Sequence, residues 1–141
     1  MSVEQNKALD RQWYERINAH DLEGALTLLS PNFVDHALRP DMPAGVEGVR
    51  MFFSMQYAAF PDMHATMLDQ FGEGDKVVHR IVVEATHQGT LMGIPPTGKR
   101  VKFTVMDIIR VADGKMAEHW GEVDTMGLMQ QLGVVPPPSH R

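Results

Sequence analysis

The sequence predicts an α+β domain in which a curved antiparallel sheet wraps around N-terminal helices in a cone with an internal pocket. Two observations predict it. Up to Phe60 apolar residues recur at intervals near four, the helical period, and from Asp62 onward they alternate at every second position, as in strands with one buried face. A flat sheet following three helices would leave apolar surface wet, so the sheet must curl until the helices cover its concave face.

Each element has a local signal. Leu9, Trp13 and Ile17 recur every four residues and predict a helix over about 3–19. Asp21 caps a second helix carrying Leu22, Ala25, Leu26 and Leu29 on one face, and Ser30-Pro31 ends it, because the residue before proline is pushed out of the helical region. A short strand is expected at 33–38 and a loop rich in Pro, Asp and Gly at 39–45. Val49, Phe52, Phe53, Tyr57 and Phe60 then mark a third helix ending at Pro61. The inward rows of the next three strands read Met63, Ala65, Met67, Phe71; Val77, Ile81, Val83, Ala85; and Val101, Phe103, Val105, Ile109, Val111. Glu73-Gly74 and Asp113-Gly114 supply hairpin turns, and Pro95-Pro96 lies in a longer loop. A strand at 115–123 and a helix capped by Asp124 or Thr125, with Leu128 and Leu132 inward and Gly133 at its end, complete one domain over 1–135. The remaining tail, 136–141, is expected to be flexible.

Composition narrows the function. A chain of 141 residues with net charge -5 and no Lys/Arg cluster has no basic field for nucleic acid or anionic lipid. Without cysteine there is no disulfide, thiolate metal site or cysteine nucleophile, and the N-terminal residues show neither the basic start nor the apolar run of a secretion signal. A cytoplasmic protein that does not enter a membrane is expected.

The informative residues are polar ones on apolar rows. Asp107 interrupts Val101, Phe103, Val105, Ile109, Val111, so alternation turns its carboxylate toward large apolar side chains. There it must be paired or protonated, and either suits a general acid or base. His119 shares a row with Ala117, Gly121 and Val123, and the Asp113-Gly114 hairpin brings it near Asp107; such a couple serves proton transfer beside a carbonyl. A buried structural hydrogen bond is the alternative for both. Asp35 shares parity with Phe33 and is a second carboxylate for the cavity, while His36 faces away. His87 is expected at the pocket mouth beside the Pro-rich loop. His79, on the same strand, is expected near the closed end and outside the site. Trp13, Tyr14, Phe53 and Val105 complete the expected ligand-contacting wall, core packing being the alternative for Trp13 and Tyr14. The histidines have no ligand spacing, so no metal is expected.

The segments Gly45-Val46-Glu47-Gly48-Val49-Arg50, Phe60-Pro61-Asp62, Glu73-Gly74-Asp75-Lys76-Val77-Val78, Gly93-Ile94-Pro95-Pro96-Thr97-Gly98-Lys99, Val111-Ala112-Asp113-Gly114-Lys115 and Glu118-His119-Trp120, with Gly127-Leu128 and Gln131-Leu132-Gly133, together resemble the SnoaL-like polyketide cyclase family. The resemblance spans nearly the whole chain and implies the cone of nuclear transport factor 2. It also implies intramolecular aldol chemistry without cofactor or metal, with an aspartate as general acid/base. That aspartate falls on Gly121 here. Asp107 stands where those cyclases resemble one another in having histidine, Asp35 where they have asparagine, and His119 matches. Epoxide hydrolases of the same fold need an arginine two residues before an inward aspartate, and Val105 occupies that place.

The expectation is therefore a cofactor-independent enzyme acting on a small to medium apolar carbonyl compound by cyclisation or isomerisation, in which Asp107 takes an α-proton and His119 serves the oxygen. A non-catalytic ligand-binding or accessory domain is the main alternative, and a hydroxylase role beside a reductase stays open. The resemblance also implies a homodimer through the outer sheet face, where Val82, Met106, Ile108 and Trp120 lie on even rows.

Overall fold

In the computed structural model, which describes residues 2–136, four helices and five strands follow in the order α1 (Val3–Asn18), α2 (Leu22–Leu26), β1 (Leu29–Asp35), α3 (Gly45–Ala59), β2 (His64–Glu73), β3 (Lys76–Thr86), β4 (Arg100–Ala112), β5 (Lys115–Val123) and α4 (Thr125–Leu132). Apart from Pro136, the tail expected to be flexible lies outside the described residues. The sheet is curved and unclosed, with strand order β1-β5-β4-β3-β2. Every neighbouring pair is antiparallel except β1 with β5, which run parallel.

Local chemistry fixes the ends of the elements. Ser2 and Gln5 form a capping box on α1, and the side chains of Asp21 and Asp124 accept from the backbone of Gly24 and Gly127 at the starts of α2 and α4. The β4–β5 hairpin turns on Asp113 and Gly114, both at positive φ (52° and 75°), the pair of conformations a tight hairpin requires. α2 is shorter than its apolar pattern suggests. Leu29 leaves that helical row to begin β1, and Ser30-Pro31 sits inside the strand; β1 is an edge strand, where the missing amide of proline costs no ladder bond.

A bulge at Leu68 changes the face presented by the rest of β2. Met67 pairs with Ile81 but Asp69 with Arg80, so Gln70 turns inward opposite His79 and Phe71, expected inside, is 61% exposed. Two outer-face expectations also change. Val82 is buried, and Trp120 is half-buried with the His36 imidazole stacked on it at 5.0 Å between centroids. Met106 and Ile108 remain exposed.

One apolar core joins the sheet to the helices. It includes Leu9, Trp13 and Ile17 of α1, Val49 of α3, Phe60, and the inward residues Ile81, Val83, Val101, Phe103, Ile109 and Val111. Burial of each such side chain contributes about 1.5–3 kcal/mol before ordering costs. α1 is fastened across this core by Asn18, whose amide exchanges two hydrogen bonds with the Ala65 backbone, and by the Tyr57 hydroxyl, which donates to the Ile17 carbonyl.

Candidate active site

Backbone register aligns the polar residues of the concave face. His79 of β3 lies directly opposite Asp107 of β4, Asp107 opposite Gly121 of β5, and Asp35 of β1 beside His119. The residues therefore occupy one level across four adjacent strands. Asp10 and Tyr14, four residues apart on α1, are one helical turn from each other and reach the same level from the helix side.

Their side chains form a continuous alternation of carboxylates and imidazoles. Asp10 Oδ2 is 2.8 Å from His79 Nδ1, His79 Nε2 is 2.6 Å from Asp107 Oδ2, Asp107 Oδ1 is 2.7 Å from His119 Nε2, and His119 Nδ1 is 2.8 Å from Asp35 Oδ1. Tyr14 donates its hydroxyl proton to Asp107 Oδ2 at 3.1 Å. The inward turn of Gln70 completes one end, its amide donating to Asp10 Oδ2 at 2.9 Å, while Arg11 donates to Gln70 Oε1. Most of this lies out of water: the side chains of Asp10 and His79 are each 1% exposed and that of Asp107 6%, whereas that of His119 is 20% exposed.

Electrostatics decides the protonation. Burial alone would raise the proton affinity of Asp107, but hydrogen bonds from His119 and His79 and the charges of both rings hold its carboxyl well below the usual carboxylate range. Burial alone would lower the affinity of each ring, but the flanking carboxylates outweigh it and raise His79 and His119 to about 9. Unit charges about 3 Å apart attract by roughly 5 kcal/mol at an effective dielectric constant near 20. Both rings are thus imidazolium ions at neutral pH, donating from both nitrogens. Burial, then the charges of Asp107 and Asp10, keep the Tyr14 phenol protonated well beyond its ordinary range.

Gly121 is part of this arrangement. A Cβ at position 121 would overlap Asp107 Oδ1 and come within 2.9 Å of His119 Nε2, so the missing side chain is the space in which the carboxylate and imidazole meet. Next to this point the concave face is partly exposed. Val105 and Val123, paired two residues from Asp107 and Gly121 respectively, are half-buried and 47% exposed, whereas Phe103, Ile109 and Val111 on the same row of β4 are buried.

These contacts sort the expected residues. Asp107, His119, Asp35 and Tyr14 are brought together. Trp13 is a core residue, its ring edge-on to Phe53 at 5.6 Å, and Phe53 is half-buried against the core. His87 is not at a mouth: it is fully buried, its Nδ1 accepts from the Thr97 amide at 3.2 Å, and it packs against Phe60. It lies eight positions beyond His79, just past the end of β3, and makes no contact with the cluster among its hydrogen bonds. His79 belongs to the cluster against expectation, and Asp10 and Gln70 were not foreseen. A groove of about 290 Å³ between α1 and β2 includes Tyr14 and Met67 in its wall, while a cavity of about 150 Å³ at the hairpin ends contains none of these cluster residues.

A family model described as SnoaL-like polyketide cyclase matches residues 7–132. The chain belongs to the SnoaL-like polyketide cyclase family. Among curated relatives, aklanonic acid methyl ester cyclase DnrD of Streptomyces peucetius is 27% identical over 108 residues, 77% of this chain and 73% of the relative. Among solved structures, TsrD of Streptomyces laurentii is 29% identical with a TM-score of 0.88, covering 96% of this chain and 99% of that one. AclR of Streptomyces galilaeus, proposed to be a hydroxylase, is 33% identical with a TM-score of 0.88, covering 98% of this chain and 87% of that one. This SnoaL-like chain shares their curved sheet and N-terminal helices, and no helix among its described residues is long and apolar enough to cross a membrane.

Proposed function

We propose that the chain is an enzyme of cofactor-independent acid/base chemistry, promoting aldol-type cyclisation or isomerisation of a small to medium apolar carbonyl compound. The observation that carries this reading is the juxtaposition of the buried ion cluster with the partly exposed Val105–Val123 strip. An apolar substrate covering that strip would place its carbonyl beside His119, the most exposed imidazolium of the cluster. Kinship with DnrD, a methyl ester cyclase, supports the cyclisation.

In this reading Asp107 is not the free base expected from the sequence. Both its oxygens accept hydrogen bonds, from His119 on one side and from His79 and Tyr14 on the other. Its role is to keep two positive rings in place. Their field opposes the negative charge that develops on an enolate oxygen, an interaction that strengthens toward the transition state. The carboxylate that the resemblance places at 121 is thus supplied from the opposite strand, with a different task.

The test uses acetophenone, 1-indanone and 2-tetralone in D₂O, with α-deuterium incorporation followed by proton NMR. The wild type accelerates exchange of at least one of them, and His119→Ala slows that exchange about 100-fold or more. Binding of these ketones without any exchange would instead make the protein a ligand-binding or accessory domain. We also propose a homodimer through the outer sheet face, supported by the exposure of Met106 and Ile108.

A further inference from the structure

The carbonyl reading needs a proton acceptor, and the cluster as built leaves few oxygens for that work. Asp107 has none uncommitted. Asp10 has one, Oδ1, but it is sealed beneath α1 with no access to solvent. Resting on the carbonyl reading, we propose that Asp35 is the general base of the site and takes the substrate α-proton on Oδ2.

Three observations support this assignment. Asp35 Oδ1 is fixed by two donors, the Ala37 amide at 2.9 Å and His119 Nδ1 at 2.8 Å, which orient the carboxylate. Oδ2 accepts no hydrogen bond from the described residues, and the Asp35 side chain is 8% exposed, so this oxygen is uncommitted and lies at the margin of solvent. Asp35 ends β1 on the parity of the core residue Phe33 and is aligned with His119, which puts its carboxylate on the concave side. The imidazolium that would face the carbonyl oxygen is therefore bonded to the carboxylate that would face the α-carbon, a spacing suited to a C–H next to a C=O.

The step balances within the protein and substrate. Asp35 Oδ2 removes the proton, and the C–H electron pair forms the enolate double bond as the carbonyl pair moves to oxygen, facing His119. The enolate carbon then attacks a second carbonyl of the same molecule, forming the C–C bond. Protonated Asp35 returns the proton to the new alkoxide. No oxidant or other reactant is consumed. For isomerisation the proton returns to a different carbon.

The experiment follows α-deuterium exchange of the same three ketones by wild type, Asp35→Asn, and Asp35→Ala with and without formate. Asparagine keeps an oxygen for the Ala37 amide and His119 but loses the basic one. Asp35→Asn is expected to lower exchange about 100-fold or more with ketone affinity unchanged. Added formate is expected to restore a measurable part of the rate in Asp35→Ala, which a side chain that merely positions His119 in the asparagine variant would not predict. Wild-type exchange rates in Asp35→Asn would overturn the assignment and leave the carbonyl reading intact. A folded Asp35→Ala variant that binds ketone but shows no rescue would also overturn it, and if Asp35→Asn fails to fold that arm decides alone. No exchange by the wild type would overturn the reading and the assignment together.

Discussion

Asp107 and Gly121 are direct cross-strand partners, and the carboxylate of one lies in the volume that a side chain on the other would require. The two positions are therefore coupled: what stands at 121 determines whether the hub of the cluster can exist.

That coupling is measurable. Gly121→Ala should displace the Asp107 carboxylate and break its bond to His119, costing about 1–3 kcal/mol by overpacking, as read from urea denaturation. Gly121→Asp should cost more, because it adds a like charge against Asp107. Combining it with Asp107→His should recover part of the loss, and a double-mutant cycle should return an interaction energy of about 1 kcal/mol or more. Additive costs would show that the two side chains do not share space.

Removing the hub leaves a buried and a half-buried imidazolium ion without a common counter-ion. Asp107→Ala should therefore destabilise the fold by about 3–5 kcal/mol, the usual scale for breaking a buried ion pair from one side. A chemical denaturation midpoint near that of the wild type would mean that solvent reaches the cluster freely.

Stability should also depend on pH in a specific direction. The folded-state affinities of His79 and His119 are raised from 6.5 to about 9, so their contribution is complete below about pH 6.5 and is lost as pH rises through 9. Asp107, lowered in the fold, contributes above its ordinary range near 4 and loses that contribution as the medium becomes strongly acidic. Tm should thus fall between pH 6.5 and 9, and the fall should flatten in a His79→Asn, His119→Asn double variant. An equal slope in that variant would assign the effect to other groups.

Tyr14→Phe removes one of the three donors to Asp107 while keeping the ring on the α1–β2 groove. A loss of about 0.5–1.5 kcal/mol is expected. The imidazole NMR titration of His79 should move with it, since the hydroxyl lies 3.1 Å from both His79 Nε2 and Asp107 Oδ2. An unmoved titration would place the hydroxyl outside the cluster.

The dimer proposal predicts that wild type scatters light as a dimer at micromolar concentration and that Ile108→Glu, placing a charge on the exposed face, yields a monomer. A wild-type monomer would contradict it.

Much of the fold was legible because its signals are local. Periodicity separated the helices from the strands, and the Asp113-Gly114 turn was short enough to bring Asp107 and His119 together by counting alone. Asp35 was recognisable by sharing parity with Phe33. The errors arose where one residue changes parity or one long loop frees a register. Leu68, inserted as a bulge, reversed Gln70 and Phe71 in a strand whose alternation otherwise reads cleanly. Residues 87–99 connect β3 to β4 without a tight turn, so nothing local showed that His79 would lie opposite Asp107 rather than near an empty end. Asp10 sits beside the apolar stripe of α1, one turn before Tyr14, a faint signal available only to a reader who already knew which strand the helix crosses.

The sequence by itself determined the class of fold, the family, and the presence of acidic and imidazole groups on an inward face, because periodicity and turn chemistry act over a few residues. Only the tertiary structure decided that five of those groups alternate in sign along one line, since that depends on register across four strands and on the placement of a helix above them. Charge alternation in turn set which oxygens are occupied and which are left without a partner, and such occupancy is a property of neighbours in space that no single stretch of chain contains.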